Sequence, residues 1–219
     1  MQRSHWVFFA IVPFVLLMLN ACKKDPPVEP EQTLFQVEFD GVVGELPFEL
    51  GQTYTHIPGQ DYQLERFRFL LSDMVLVNAN GEEVALESDM LVDLGEKTFR
   101  TPDSLNDEGV SMAWSVPAGE YRSIKFNLGI PESRNNGNPA DFPSSHPLSI
   151  RRGMHWTWST GYIFMQIDGR ADTLDDGQAS FDHGLVFHPG TNDLFKSFTW
   201  DESTFTIEAG QTYTQTVKV

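Results

Sequence analysis

The chain has 219 residues, a formal net charge of −16 and a single cysteine. That acidity repels phosphate backbones and argues against nucleic acid as a partner, while the length suits one domain with a proper core. One cysteine excludes disulfides within the chain and cysteine-rich zinc sites.

Arg3 and His5 open the chain, and an apolar run follows from Trp6 to Leu19. It is shorter than the ~20 residues a membrane-spanning helix needs, so residues 1–21 read as a secretory signal. Leu19-Asn20-Ala21-Cys22 resembles the lipobox of bacterial lipoprotein signals. The resemblance implies that Cys22 becomes the lipidated N-terminus of a protein tethered to the membrane of the bacterial cell envelope, on a periplasmic or surface face of the outer membrane. Several acyl chains at one point give stable anchoring. If Cys22 is spent on lipid, as its place leads one to expect, a cysteine nucleophile is excluded too, and any soft-metal site must draw on His, Met or something made from an aromatic ring. Residues 22–32 carry Pro26, Pro27 and Pro30 and are expected to form an extended tether.

Residues 33–219 are expected to form one all-β domain. Phe35, Val37 and Phe39 alternate with polar residues, as do Ile124, Phe126 and Leu128, and Tyr213, Gln215, Val217 and Val219 close the chain in the same way. Period-two runs are half-buried strands. Turn signals separate them at Asn80-Gly81, at Pro117–Tyr121 and at Asn135–Pro139. Gly-Gln-Thr-Tyr-Thr occurs at Gly51 and again at Gly210, each time as a turn glycine entering a Thr-rich strand. The predicted architecture is an antiparallel β-sandwich, immunoglobulin-like or a related Greek key.

Two stretches carry candidate chemistry. In Gly153–Phe164, GMHWTWSTGYIF, strand alternation places Met154, Trp156 and Trp158 on one face and His155, Thr157 and Ser159 on the other. Large aromatics dominate sandwich cores, so packing accounts for the indoles. His155 is harder to absorb, because imidazole titrates near neutrality and is the commonest metal ligand. In Ala179–Phe195, His183 and His188 stand five apart and face opposite sides of an ideal strand, so one of them, not both, can meet His155 from a neighbouring strand. His56 and His146 precede Ile-Pro and Pro and read as turn residues. The run Asp172–Asp182 lacks the ligand spacing of a calcium loop and reads as an acidic hairpin loop. No nucleophile elbow, zincin motif or phosphate-cradling glycine loop is present, so the chain is not expected to be an enzyme; a hydrolase using paired carboxylates is the weaker alternative.

FRFLLSDMVLVNANGEEVAL, MLVDLG, VPAGEYRSIKFNLGIP, GMHWTWSTGYIFMQIDG and VFHPGTNDLF, in this order, resemble the MbnP-like family of copper-associated envelope β-sandwich proteins. The resemblance implies a copper site made of His155, His188 and a tryptophan oxidised to kynurenine, either Trp156 or Trp158, and a di-haem peroxidase-like partner of the MbnH type. His183 and Met154 are secondary metal candidates, with Met112 and Met165 further thioethers. Asp182, Asp168 and Asp141 are candidates to orient a ligand histidine. Strand alternation sets His155 opposite both indoles, so a bulge near Gly153 or Gly161 would be needed to bring imidazole and modified indole to one metal. The alternative is a metal-free binding or structural lipoprotein that recognises a glycan or another envelope protein.

Overall fold

The computed structural model describes residues 32–58, 60–95, 99–100, 108–109, 111–156, 158–159, 161–174, 178 and 180–219. The signal segment, Cys22, most of the tether and Thr157 lie outside these residues. Fourteen strands follow in chain order among them. They are β1 (Leu34–Asp40), β2 (Val42–Val43), β3 (Leu46–Pro47), β4 (Thr53–Ile57), β5 (Gln60–Asn78), β6 (Glu83–Asp93) and β7 (Phe99–Arg100). The second half holds β8 (Glu108–Gly109), β9 (Ser111–Ser115), β10 (Gly119–Leu128), β11 (Met165–Ala171), β12 (His183–Phe187), β13 (Lys196–Ile207) and β14 (Thr212–Lys218).

One sheet runs β14-β1-β9-β7 and faces a larger sheet ordered β12-β11-β5-β10-β13, with β4, β6 and β8 attached to the latter. Pairing is mostly antiparallel, as the sandwich expectation requires; β1 with β14, β6 with β8 and β7 with β9 are parallel. The alternation read from the sequence sets which faces are buried. Phe35, Val37 and Phe39 of β1 are buried in the space between the sheets, where Phe35 stacks against Trp114, Phe205 and Tyr213. Both Gly-Gln-Thr-Tyr-Thr copies begin at a glycine of positive φ, Gly51 at 76° and Gly210 at 71°, and feed β4 and β14.

The larger sheet is covered on its outer face as well. Along β5, Phe69 and Leu71 belong to the inner core, while Leu70 between them belongs to a second cluster with Leu91 of β6. Residues 129–164 leave the sheet after β10 and cover that face with Ile130, Leu148, Met154, Tyr162, Ile163 and Phe164. Successive side chains of a strand point to opposite sides, so burial of neighbours in β5 requires two covered faces.

Polar anchors hold this cover in place. The short helix α1 (Glu132–Asn135) carries Arg134, whose guanidinium reaches Asp89 Oδ1 at 3.2 Å and Asp73 Oδ1 at 2.8 Å. Asp73 adopts the left-handed region at φ 48° beside an irregularity in the β5–β10 register, and its carboxylate also accepts from Asn127. Burial raises the Asp89 carboxyl above its ordinary value of 3.8, opposed by Arg134 and His146 and reinforced by Asp73. A raised carboxyl binds its proton more tightly folded than unfolded, so its contribution to stability is full at low pH and is lost as the pH climbs from 3.8 through the raised folded value. The wild type should therefore lose stability relative to Asp89→Asn as the pH rises over this window. Urea unfolding of both proteins across the acidic range measures it, and a relative gain with rising pH would show that the Arg134 pairing outweighs burial.

Candidate functional site

The site is built where the outer cover meets the loop after β12. A 3-10 turn, Ile150–Arg152, ends at Gly153 with φ 67°, and the chain then enters a short hairpin. Ile163 N–H donates to Met154 O at 2.7 Å, Trp156 N–H to Gly161 O at 3.3 Å, and His155 and Tyr162 form an isolated antiparallel bridge. The expected strand from Met154 to Ser159 is thus replaced by this hairpin, because glycines of positive φ stand at both ends, Gly153 and Gly161 at 106°. Alternation survives only in its first residues. Met154 is fully buried in the outer cluster and Trp156 packs half-buried against it, but Trp158 is 80% exposed and shares no core face with them. His155 is half-buried and meets Tyr162 edge-on, with ring centroids 5.0 Å apart. Tyr162 is completely buried, donates to Leu148 O at 2.8 Å, and has its acidity weakened by burial and then by Asp89 and Asp141, so it stays a protonated donor.

His188 follows β12 directly. Its Nε2 lies 2.6 Å from Asp168 Oδ1, which leaves Nδ1 as the ring nitrogen that Asp168 does not take. The carboxylate is itself fixed from behind. Its Oδ2 accepts from Gln166 Nε2 at 2.8 Å and faces Arg66 Nη1 at 3.5 Å; Gln166 Oε1 accepts from Arg68 Nε and Nη2, and Arg68 Nη1 donates to Arg152 O at 3.1 Å. This row follows from strand register, since Arg66 is the partner of Asp168 and Arg68 the partner of Gln166 in the β5–β11 pairing. It ends at Arg152, at the base of the hairpin that carries His155.

The segments bearing the two histidines are in direct contact. A Cβ built on Gly190 would fall 2.2 Å from Tyr162 O and 2.6 Å from Trp156 Cη2, so only glycine admits this approach of the His188-Pro189-Gly190 turn to the hairpin. Pro189 O accepts from Phe164 N–H at 2.7 Å. Buried Asn135 joins the same pieces, accepting from Tyr162 N–H at 2.7 Å and donating to Asn192 Oδ1 at 2.6 Å. Trp156 is therefore the indole at the junction.

The remaining candidates lie elsewhere. His183, exposed at the far end of β12, sits 3.2 Å from Asp182 Oδ2 and 3.0 Å from Thr173 Oγ1, and the pairing lowers the Asp182 carboxyl. Asp141 accepts from Asn138. Met112 and Met154 are buried in the inner and outer clusters, and Met165 packs against the inner one. His146 occupies a turn, as expected, stacked on Phe142 at 4.4 Å; His56 instead lies within β4. Asp172 is buried and accepts from Leu174 N–H and Ser180 N–H, which favours the acidic-loop reading. Among the described residues no three His, Cys, Asp or Glu side chains form a group able to hold a metal by themselves. Arg66, Arg68 and Gln166 went unread in the sequence, and Asn135 was read only as part of a turn. The row of Arg66, Arg68, Gln166 and Asp168 had a trace, polar pairs two apart at Arg66/Arg68 and at Gln166/Asp168.

The family model for MbnP matches residues 32–219. The chain belongs to the MbnP family. Among solved structures, MbnP from Methylosinus trichosporium superposes with a TM-score of 0.51 at 16% identity, covering 80% of this chain and 71% of that one. At that identity the likeness to the MbnP structure speaks for the fold. No curated protein matches the chain significantly.

Proposed function

We propose that this MbnP-family protein binds copper, without catalysing a reaction, at the junction of the 154–164 hairpin and the 188–190 turn, and that it does so as a lipoprotein tethered through Cys22 in the cell envelope. The observation that carries the reading is His188 held by Asp168 through Nε2. A histidine that gives one nitrogen to a carboxylate is oriented to offer the other to a metal. His155, on the touching segment, is the second imidazole. Trp156, against Gly190, is the tryptophan whose oxidation to kynurenine would add an amine. Nitrogen donors favour Cu(II) over the other divalent first-row ions, and a set of two imidazoles and an amine suits both copper oxidation states. The di-haem partner implied by the family resemblance would supply the oxidant.

Metal analysis of the purified full-length protein after copper loading and dialysis tests the reading. About one copper per chain is expected from two ordered imidazoles, with none retained by the His155→Ala/His188→Ala double variant; equal retention by both would overturn it. Intact mass of protein from its native host reports the indole oxidation, which Trp156→Phe should erase and Trp158→Phe should leave. A metal-free binding role is the second reading, favoured by the exposed indole of Trp158.

A further inference from the structure

The inner core of the sandwich opens to solvent on the face of β5 and β11 opposite the histidine row, where Phe67, Phe69 and Met165 alternate with Arg66, Arg68 and Gln166. A cleft of about 330 Å³ enters there between the two sheets, and every residue lining it is apolar. Phe39, Phe69 and Leu71 are its buried floor; Phe126 and Phe198 stack at 5.4 Å along one wall, and Phe198 is 44% exposed at the mouth. A wall without donors or acceptors cannot satisfy a polar group, so whatever enters it is hydrocarbon. The strand at the mouth alternates Phe198 with exposed Ser197 and Thr199, which makes the apolar surface a single slot and not the broad face a bilayer would take.

One charged residue shares the face of this slot. Lys196 lies two residues before Phe198 on β13, and its cross-strand partner is Leu128, another lining residue. Both relations put its side chain on the cleft side. Lys125 is paired with Glu83 at 2.6 Å, whereas no carboxylate among the described residues pairs with Lys196, although the chain carries a net charge of −16. A lysine stem laid along an apolar wall with its ammonium in water is suited to the anionic end of an amphiphile.

We infer that the cleft binds one long-chain fatty acid, its hydrocarbon tail against Phe69 and Phe126 and its carboxylate at Lys196. This goes beyond the copper reading and does not depend on it. The test is photo-crosslinking of the full-length protein in phosphatidylcholine nanodiscs, with a palmitic acid bearing a terminal diazirine as probe and a hexadecylamine bearing the same group as control. The acid should label peptides containing Phe39 or Phe69, the floor that the tail end reaches, saturably, and unlabelled palmitate should compete. The amine, and the acid on Lys196→Glu, should label about fivefold less, as loss of one exposed charge pair allows. Phe198→Asp, a substitution at a partly exposed position checked by circular dichroism, should abolish the labelling. Equal labelling by acid and amine, labelling that palmitate does not displace (the mark of membrane contact), or no label on those peptides would each overturn the inference.

Discussion

Replacing Asp168 by asparagine is expected to weaken copper binding by roughly 10–100-fold, the usual cost of removing the partner that orients a metal-bound histidine. The substitution is nearly isosteric, so its effect must come from charge and hydrogen bonding. In the wild type, Oδ1 takes the Nε2 proton of His188 and Oδ2 takes the amide of Gln166. An asparagine can keep the first contact only by turning its own amide nitrogen toward Gln166 Nε2 and Arg66, where donors then face donors. Gln166 cannot answer by flipping, because its Oε1 already accepts from two nitrogens of Arg68. The imidazole loses both its counter-charge and its fixed tautomer, and Nδ1 is no longer reserved for the metal. His188→Ala should remove the ligand outright and leave binding below detection. Competition against a chromophoric copper chelator measures both variants, and circular dichroism confirms their fold. Unchanged affinity in Asp168→Asn would mean that the His188–Asp168 contact serves the strand end and not a metal.

His188 was a candidate in the sequence; the arrangement of groups now seen around it was not, for reasons of range. Short-period information carried well. The alternation in Leu34–Asp40 and Thr212–Lys218 named the buried apolar residues of β1 and the half-buried face of β14, and the repeated Gly-Gln-Thr-Tyr-Thr marked two strand entries. Alternation failed in Gly153–Phe164, where two glycines of positive φ break the extended chain before a strand can propagate. The outer cover was hidden because its apolar residues, Ile130, Leu148, Met154 and Ile163, follow no period and belong to a path without long regular elements. Its trace lay in β5, where Phe69, Leu70 and Leu71 in succession imply two buried faces. The row behind His188 depends on a register between residues 98 positions apart, Arg68 with Gln166, which local pattern cannot fix. Asp168 could be placed among three carboxylates but not chosen.

The largest loss of stability expected from a single polar substitution is at Asn135. Its side chain is buried, ends the one-turn helix α1, and has both functional atoms occupied: Oδ1 by Tyr162 N–H at 2.7 Å, Nδ2 by Asn192 Oδ1 at 2.6 Å. Gly161 lies against it so closely that a Cβ there would sit 3.2 Å from Oδ1. Asn135→Ala leaves a buried backbone N–H without an acceptor and strips Asn192 of its donor, so a loss of roughly 2–4 kcal/mol is expected, dominated by the unsatisfied amide. Asn135→Asp keeps the acceptor for Tyr162 N–H, and Asn192 can turn its amide to donate, so this variant should recover much of the loss despite a buried charge. Asn135→Leu, which keeps about the volume but none of the hydrogen bonds, separates a hydrogen-bond clamp from simple packing: a clamp leaves it as low as Asn135→Ala, whereas packing alone would restore it. Urea unfolding measures it, and a loss under about 0.5 kcal/mol for Asn135→Ala would show that water replaces the amide at no cost. Because this amide ties the hairpin of His155 and Trp156 to the loop that follows His188, its removal should also spread the two imidazoles, and copper affinity should fall in Asn135→Ala even where the protein is still folded.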